Sequence, residues 1–219
     1  MHIAIGCDHR GLNLKQAIIE LLSQMGHSYE DFGCYNSAAV DYPDIGSRVA
    51  LAVAEGRFDH GILICSTGVG MSMVANKVPR VRAALCHDTF SARRSREHND
   101  ANVLCLGESV TGQGLAEEIV TAYLSAEFQG GRHAQRLEKI RELERQKALT
   151  EIARSVAHDL NNSLSIILGQ AQLAVEETDD PKIKRAFQAI EQGALNASRT
   201  VQHLQRVARG ESSPKGEDH

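Results

Sequence analysis

The stretch Gly61-Ile62-Leu63-Ile64-Cys65-Ser66-Thr67-Gly68-Val69-Gly70 decides the fold of this chain. Its first half is a short apolar run, which is typical of a strand buried on both faces of a sheet. Its second half is a glycine loop that opens a helix. A buried strand that leads through such a turn into a helix is the repeating unit of a parallel sheet covered by helices.

The same alternation of apolar runs and amphipathic stretches continues on both sides of this unit. Apolar residues recur at helical spacing over 13–25 and 45–55, and Gly26 and Gly56 follow as helix stops. The sequence therefore predicts an α/β fold with a doubly wound, five-stranded parallel sheet of the Rossmann-like type. The predicted strands are 2–6, 28–32, 60–65, 81–86 and 102–107, and a further helix is expected at 113–126.

A different kind of sequence follows the break at Gln129-Gly130-Gly131. From Arg132 to about Glu176 proline is absent and apolar residues recur at helical period, which predicts one or two long helices. Pro181 begins another helix that runs to about Ala208. Two such helices form a hairpin that cannot bury both faces alone, so a second copy would complete a four-helix bundle. The predicted organisation is an α/β domain at 1–146, a C-terminal α-helical hairpin at 147–209 and a disordered tail at 210–219.

The composition narrows the classes of function. Apolar residues make up 42% and charged residues 24% of the chain, which is ordinary for a soluble globular protein. A net charge of −4 without a basic stripe argues against nucleic acid or an acidic membrane as a partner. No leader-like segment or long apolar stretch is present, so we expect a cytoplasmic protein. Five cysteines without CxxC spacing indicate reduced thiols, and neither a metal nor a cofactor is expected.

The loops that follow predicted strands are where chemistry is expected, because ligands of doubly wound sheets lie beyond the carboxyl ends of the strands. These loops are 7–10, 66–70 and 107–109. In the second loop, outward and unpaired N–H groups and the helix dipole would favour a thiolate at Cys65, which makes this residue a candidate base. The same N–H groups would stabilise an enediolate oxygen. The alternatives are a buried cysteine at a strand end and an ordinary tight turn or nucleotide loop.

Five motifs in this order resemble the type B ribose-5-phosphate isomerases over about residues 1–146. The resemblance implies a metal-free conversion of ribose 5-phosphate to ribulose 5-phosphate through a cis-enediol, a step of the pentose phosphate pathway. It also implies a homodimer or tetramer whose active site is shared between subunits. An isomerase of allose or galactose 6-phosphate is the alternative. The motifs are Gly6-Cys7-Asp8-His9-Arg10-Gly11, Asp41-Tyr42-Pro43, 65–70, 96–103 and 130–136.

The resemblance also implies residue roles. Cys65 would remove the C2 proton, Thr67 would move protons among the sugar oxygens, and His98 would open the furanose ring. Each of these residues also has an ordinary structural interpretation, such as a turn, a helix cap or a solvated charge. The implied substrate-binding residues are Asp8 at a sugar hydroxyl, His9, Arg132 and Arg136 at the phosphate, and Tyr42, Ser66, Gly68, Val69, Gly70 and Asn99 elsewhere in the site.

The chain departs from this family after the predicted strand 102–107. The family commonly places an arginine there that assists phosphate binding, whereas this chain has Glu108-Ser109. A carboxylate and a hydroxyl therefore replace a cation. We expect this change to affect the affinity for the substrate or its identity.

The segment from Ile152 to Leu164 resembles the phosphoacceptor helix of sensor histidine kinases. The resemblance implies that His158 accepts phosphate, that Asp159 acts as the neighbouring base, and that Asn162, one turn further on, positions the reactants. The residues after 176 are too few for a nucleotide-binding lobe, so a kinase or response regulator would have to act in trans. We favour a hairpin that only dimerises. A protein that senses a sugar phosphate and signals through His158 is the alternative for the whole chain.

Overall fold

The structure, a computed structural model, describes residues 1–208. The predicted disordered tail at 210–219 lies outside the described residues. The chain folds as two compact units, Met1–Arg141 and a second unit that begins at Glu142. The predicted domain boundary at residue 146 stays a prediction.

The first unit is built on a five-stranded parallel sheet with the strand order β2-β1-β3-β5-β4. The chain starts at β1 near the centre, moves to one edge at β2, and returns through β3 to the other side. This topology confirms the predicted doubly wound sheet. The strands are β1 His2–Cys7, β2 Ser28–Asp31, β3 His60–Cys65, β4 Ala83–Leu85 and β5 Val103–Gly107.

Helices cover both faces of this sheet. Ile62 and Ile64 of β3 face the core under α1, α4 and α5, whereas Leu63 and Cys65 face the core under α2 and α3. The three aliphatic side chains at 62–64 are completely buried, and each contributes about 1.5–3 kcal/mol through its burial. The helices are α1 Leu12–Gln24, α2 Tyr42–Ala54, α3 Val69–Ala75, α4 Thr89–Asn99 and α5 Gln113–Leu124.

The predicted helix stops at Gly26 and Gly56 are confirmed. Both glycines have a left-handed backbone, with φ of 74° and 76°. The residue after each glycine donates back into its helix, since His27 N bonds Leu22 O at 2.9 Å and the N–H after Gly56 reaches the corresponding carbonyl at 3.2 Å. Glycine adopts this conformation without steric cost, which is why the helices end there.

The remaining helices are α6 Arg132–Glu177 and α7 Pro181–Ala208. The stretch expected to form one or two helices is therefore one continuous helix, and the predicted hairpin is confirmed. In the second unit α6 and α7 contact each other through Gln172 and Glu191, whose side chains bond at 3.0 Å. Three of the buried side chains described in this unit are alanines, Ala157, Ala171 and Ala194, so the two backbones can approach closely there. Over residues 1–208, no helix is both long enough and apolar enough to cross a membrane.

Candidate functional site

The glycine loop after β3 aims a backbone N–H at the sulfur of Cys65. Cys65 is the last residue of β3 and is 5% exposed, and Gly68 N donates to its Sγ at 3.1 Å. Gly68 has a φ of +78°, and a Cβ there would lie 2.5 Å from Leu85 Cδ1 and 2.9 Å from the carbonyl carbon of Leu106. Only glycine fits this turn, so the N–H contact with the sulfur depends on Gly68.

The expectation that the N–H groups of this loop are unpaired is wrong for two of them. The N–H of Gly68 is used by Cys65, and Val69 N donates to Thr67 Oγ1 at 3.4 Å. The left-handed turn folds the loop back on itself, which brings these donors to its own side chains. The loop therefore holds the thiol and the Thr67 hydroxyl directly.

The loop after β5 packs against this glycine loop. A Cβ at Gly107 would lie 2.6 Å from the Thr67 carbonyl carbon, so only glycine allows the two loops to approach this closely. Ser109 N donates to Ser66 O at 2.9 Å, and the hydroxyls of Ser66 and Ser109 lie 3.0 Å apart. Sequence reasoning did not find this pairing. Ser109, which departs from the family pattern, therefore contacts the residue next to Cys65, the candidate base.

Glu108, the other departing residue, caps the first helix. Its Oε2 accepts from Leu14 N at 2.9 Å and its Oε1 accepts from Asn13 Nδ2 at 3.1 Å. Leu14 lies in the first turn of α1, where N–H groups have no partner inside the helix and the helix dipole favours a negative charge. Glu108 therefore joins the β5 loop to α1.

Three more of the predicted residues lie at the same edge of the sheet. Asp8 is 7% exposed, and its Oδ1 accepts from Arg10 N at 2.8 Å. His9 Nδ1 accepts from Val40 N at 3.4 Å. The ring of Tyr42 lies against the glycine loop, since its Cε2 is 2.8 Å from where a Cβ of Gly70 would be. We call the predicted residues that follow the carboxyl ends of β1 and β3, together with Tyr42, the carboxyl-edge group: Asp8, His9, Tyr42, Cys65, Ser66, Thr67, Gly68, Val69 and Gly70.

The other predicted residues lie at the opposite edge of the sheet. The helix α4 runs back from the carboxyl end of β4 to the amino end of β5, so His98 and Asn99 at its end lie beside the start of β5. The start of α6 also lies there, because Gln129 N donates to Glu97 O at 3.0 Å and the rings of His98 and His133 stack. We call His98, Asn99, Arg132 and Arg136 the amino-edge group.

The two groups are separated along the strands. In the register of β3 and β5, Gly61 pairs with Val103 and Cys65 pairs with Gly107. Four residues of parallel strand span about 13 Å, which is far beyond hydrogen-bond reach. One chain therefore does not bring His98 to Cys65, nor the two arginines to His9.

The rings of His98 and His133 form a stacked pair at the amino edge. Their ring centroids are 4.1 Å apart and the planes are inclined by 7°. His133 is 6% exposed, and among the described residues its Nδ1 has no hydrogen-bond partner. Burial lowers the pKa of His133, and electrostatic interactions with His98, Arg132, Arg136 and Arg94 lower it further. His133 is therefore neutral at pH 7, and sequence reasoning missed it although it lies between the two predicted arginines.

The three predicted phosphoacceptor residues come together on α6. His158 Nδ1 lies 3.3 Å from Asp159 Oδ1 and 3.4 Å from Asn162 Nδ2. The side chain of His158 is 72% exposed. The spacing read from the sequence therefore brings both Asp159 and Asn162 into contact with an exposed His158.

Comparisons with known proteins agree with the fold. Residues 3–140 match the model of the Ribose/Galactose Isomerase family, and residues 148–213 match that of the His Kinase A (phospho-acceptor) domain. The chain is 50% identical to ribose-5-phosphate isomerase B of Escherichia coli, over 66% of this chain and 97% of that protein. It is 45% identical to D-erythrulose-4-phosphate isomerase of Pectobacterium atrosepticum, over 67% and 97%. The solved structure of ribose-5-phosphate isomerase B from Clostridium thermocellum matches with a TM-score of 0.66 and 54% identity, over 67% of this chain and 99% of that chain.

These findings define the first unit as that of a sugar-phosphate isomerase, an enzyme that interconverts an aldose and a ketose. The resemblance to the type B ribose-5-phosphate isomerases is confirmed. The chain belongs to the ribose/galactose isomerase family, with a segment similar to a histidine-kinase phosphoacceptor domain after it.

Proposed function

We propose that this enzyme interconverts ribose 5-phosphate and ribulose 5-phosphate, with the thiolate of Cys65 as the base. The observation that carries the proposal is the contact of 3.1 Å between Gly68 N and Cys65 Sγ. An N–H donor at this distance stabilises a sulfur that carries negative charge. The relatives named as ribose-5-phosphate isomerase B support the five-carbon substrate.

The reaction follows from the open-chain aldose. Cys65 takes the proton from C2, the electrons of that C–H bond form the C1–C2 double bond, and O1 becomes an oxyanion that gains a proton. The O2 hydroxyl then loses its proton as the C2 carbonyl forms, and the thiol returns its proton to C1. Thr67 passes the proton between O1 and O2, and its exposure on the same loop as Cys65 supports this role. C2 is oxidised while C1 is reduced, so no external oxidant is consumed.

We further propose that the carboxyl-edge group of one copy combines with the amino-edge group of a second copy. The separation of about 13 Å along the sheet supports this arrangement, because a general acid or base must come within about 3 Å of its proton. Arg132 and Arg136 are exposed and one helical turn apart, so both guanidinium groups are free to meet a phosphate from another chain. His98 then opens the furanose ring.

The test is turnover of ribose 5-phosphate by wild type, Cys65→Ala and Cys86→Ala. Cys86 is a matched control because it is also a buried thiol, and burial raises its pKa to about 11. Wild type and Cys86→Ala should interconvert the two sugars, and Cys65→Ala should lose at least 100-fold in kcat while it still binds substrate. Unchanged turnover in Cys65→Ala would show that the sulfur is not the base.

The same assay decides the preferred sugar. Ser109 places a hydroxyl beside Ser66 at the position where the family commonly has an arginine. A sugar phosphate with more or fewer than five carbons is therefore an alternative substrate. Turnover should therefore be compared for ribose 5-phosphate, erythrose 4-phosphate, allose 6-phosphate and galactose 6-phosphate. A kcat/KM for another sugar above that for ribose 5-phosphate would replace the proposed substrate.

For the helical unit we propose that the hairpin pairs with the hairpin of a second copy. Five apolar side chains on α6 form a row that is 45% to 66% exposed, which we call the apolar row: Leu149, Ile152, Val156, Leu160 and Ile167. At 100° per residue, all five fall within about 80° of one another around the helix. His158 lies about half a turn from Leu149, so a partner on the apolar row leaves His158 open. The match to a phosphoacceptor domain supports both features.

This second proposal has its own test. Because the first units are also proposed to associate, the measurement must report on α6 alone: in a Leu149→Cys chain, oxidation should join the α6 helices of two copies by a disulfide. Adding Val156→Glu should reduce this cross-linking, whereas adding Arg154→Glu, on the other side of the helix, should not. Phosphoramidate, a small phosphate donor, tests His158: acid-labile phosphate on wild type that is lost in His158→Gln would assign a signalling role beyond dimerisation. Equal cross-linking with and without Val156→Glu would rule out the apolar row as the interface.

A further inference from the structure

Arg94 contacts the ring of His98, one turn further along α4. Its Nη1 lies 3.2 Å from His98 Nε2 and 2.8 Å from Glu97 Oε2. The guanidinium also lies 5.2 Å from the centre of the Phe90 ring. An ion pair on one side and an aromatic face on the other restrict Arg94 to the position in which it faces His98.

The contact decides where the hydrogen of His98 is. A guanidinium has only N–H donors, so the nitrogen that it faces must accept. A neutral His98 therefore carries its hydrogen on Nδ1. The stack on His133, at 4.1 Å and 7°, holds the plane of the ring, so the ring cannot simply turn away from Arg94.

We propose that Arg94 is a positioning residue that fixes His98 as the Nδ1–H tautomer, with this N–H as the donor to the furanose ring oxygen of the substrate. The proposal rests on the function proposed above. When the ring opens, the C1–O4 bond breaks, its electron pair goes to O4, and the O1 hydroxyl loses its proton as the C1 carbonyl forms. That proton reaches O4 through water. The Nδ1–H of a neutral imidazole stabilises the charge that develops on O4, and no net proton is taken from the histidine.

Sequence reasoning passed over Arg94. The preceding residue of α4, Arg93, is an exposed arginine, but it lines a groove with α5 and does not contact the stacked histidines. The two arginines carry the same charge on adjacent positions of one helix. They therefore provide a matched pair in which only one member contacts His98.

The experiment combines a spectroscopic and a kinetic measurement on the full chain. In ¹⁵N-labelled wild type and Arg93→Leu, the nitrogen shifts of His98 should report hydrogen on Nδ1, and in Arg94→Leu they should move towards the Nε2–H form. Arg94→Leu should lower kcat for ribose 5-phosphate about tenfold, part of the roughly 10²–10³ that one hydrogen-bond donor to a developing oxyanion supplies. Arg94→Lys keeps a donor and should recover most of this loss. Erythrose 4-phosphate cannot form a furanose because its O4 carries the phosphate, so its turnover should change less than twofold.

The outcomes separate this proposal from the function on which it rests. Wild type that turns over neither sugar would refute the proposed function, and the ¹⁵N shifts would then still decide the tautomer. Hydrogen on Nε2 in wild type, or an equal loss for both sugars in Arg94→Leu, would overturn the proposal. If wild type turns over ribose 5-phosphate but not erythrose 4-phosphate, the ¹⁵N shifts of His98 and the recovery of kcat in Arg94→Lys decide whether Arg94 positions His98.

Discussion

Two inactive variants should restore each other if the active site is shared between chains. One chain carries Cys65→Ala and keeps the amino-edge group, and the other carries His98→Asn and keeps Cys65. Inside one chain the two groups are about 13 Å apart along the sheet, so neither variant can repair its own site. Across an interface, the intact Cys65 of one chain meets the intact His98 of the other.

The size of the recovery follows from counting sites. In an equal mixture, half of the sites take their carboxyl-edge group from a His98→Asn chain and so contain Cys65. Half of these sites take their amino-edge group from a Cys65→Ala chain and so also contain His98. About a quarter of the wild-type activity should therefore return, in a dimer or in a tetramer of such dimers. The two variants are mixed after mild denaturation, reassembled, and assayed for turnover of ribose 5-phosphate.

The control is a mixture of Cys65→Ala and Thr67→Ala, which both alter the carboxyl-edge group. No arrangement of these two chains makes an intact site across the interface, so this mixture should stay inactive. Two different affinity tags show whether mixed assemblies form. Mixed assemblies of Cys65→Ala and His98→Asn with less than a few per cent of wild-type activity would refute the shared site.

Three further predictions concern stability and the glycine loop. Burial lowers the pKa of His60 to about 4, so the unfolded chain binds a proton below pH 6.5 that the folded chain does not take up until about pH 4. Urea unfolding should therefore show stability falling by up to about 3 kcal/mol between these pH values, and His60→Asn should lack this part of the decrease. Glu108→Ala should lower the free energy of unfolding by about 1–2 kcal/mol because α1 loses its cap, with Glu118→Ala on α5 as the control; equal losses would contradict the capping role. Gly68→Ala should reduce kcat at least tenfold and cost about 1–3 kcal/mol in stability, and full activity in a folded variant would show that the Cys65 contact is not needed.

The sheet could be predicted because its signal is local. The strand 60–65 has the apolar run Ile62-Leu63-Ile64-Cys65 and lies between the polar residues Asp59 and Ser66, so its limits in the sequence match those in the structure. The fourth strand is shorter than predicted. It begins at Ala83, because the backbone N–H of Arg82 donates to the side chain of Asn102 at 2.7 Å and not to a neighbouring strand. The sequence pattern does not reveal that bond.

The helix α4 shows where sequence periodicity fails. Within Thr89–Asn99 the only apolar residues are Phe90, which is 68% exposed, and Ala92. No apolar stripe therefore marks the helix. The signal that remains is Asp88, whose Oδ1 accepts from Ser91 N at 2.7 Å as an N-terminal cap.

The candidate site was predictable residue by residue but not in its arrangement. Motifs such as 65–70 and 130–136 mark residues for chemistry, yet they do not say which edge of the sheet each one occupies. The contact between Arg94 and His98 could have been found, since residues four apart share one face of a helix. The stack of His98 on His133 could not, because it depends on the packing of two segments distant in sequence.

The alternation of side chains along β3 limits how this sequence can change in length. Ile64 and Cys65 face opposite cores although they are adjacent, because successive residues of a strand point to opposite sides. An insertion in the loop before His60 leaves the sulfur of Cys65 in place. One residue added inside the strand would turn Cys65 towards α1 and put an aliphatic side chain under the glycine turn. We therefore expect the enzyme to tolerate insertions in the loop before β3, but not the insertion or deletion of a single residue within β3.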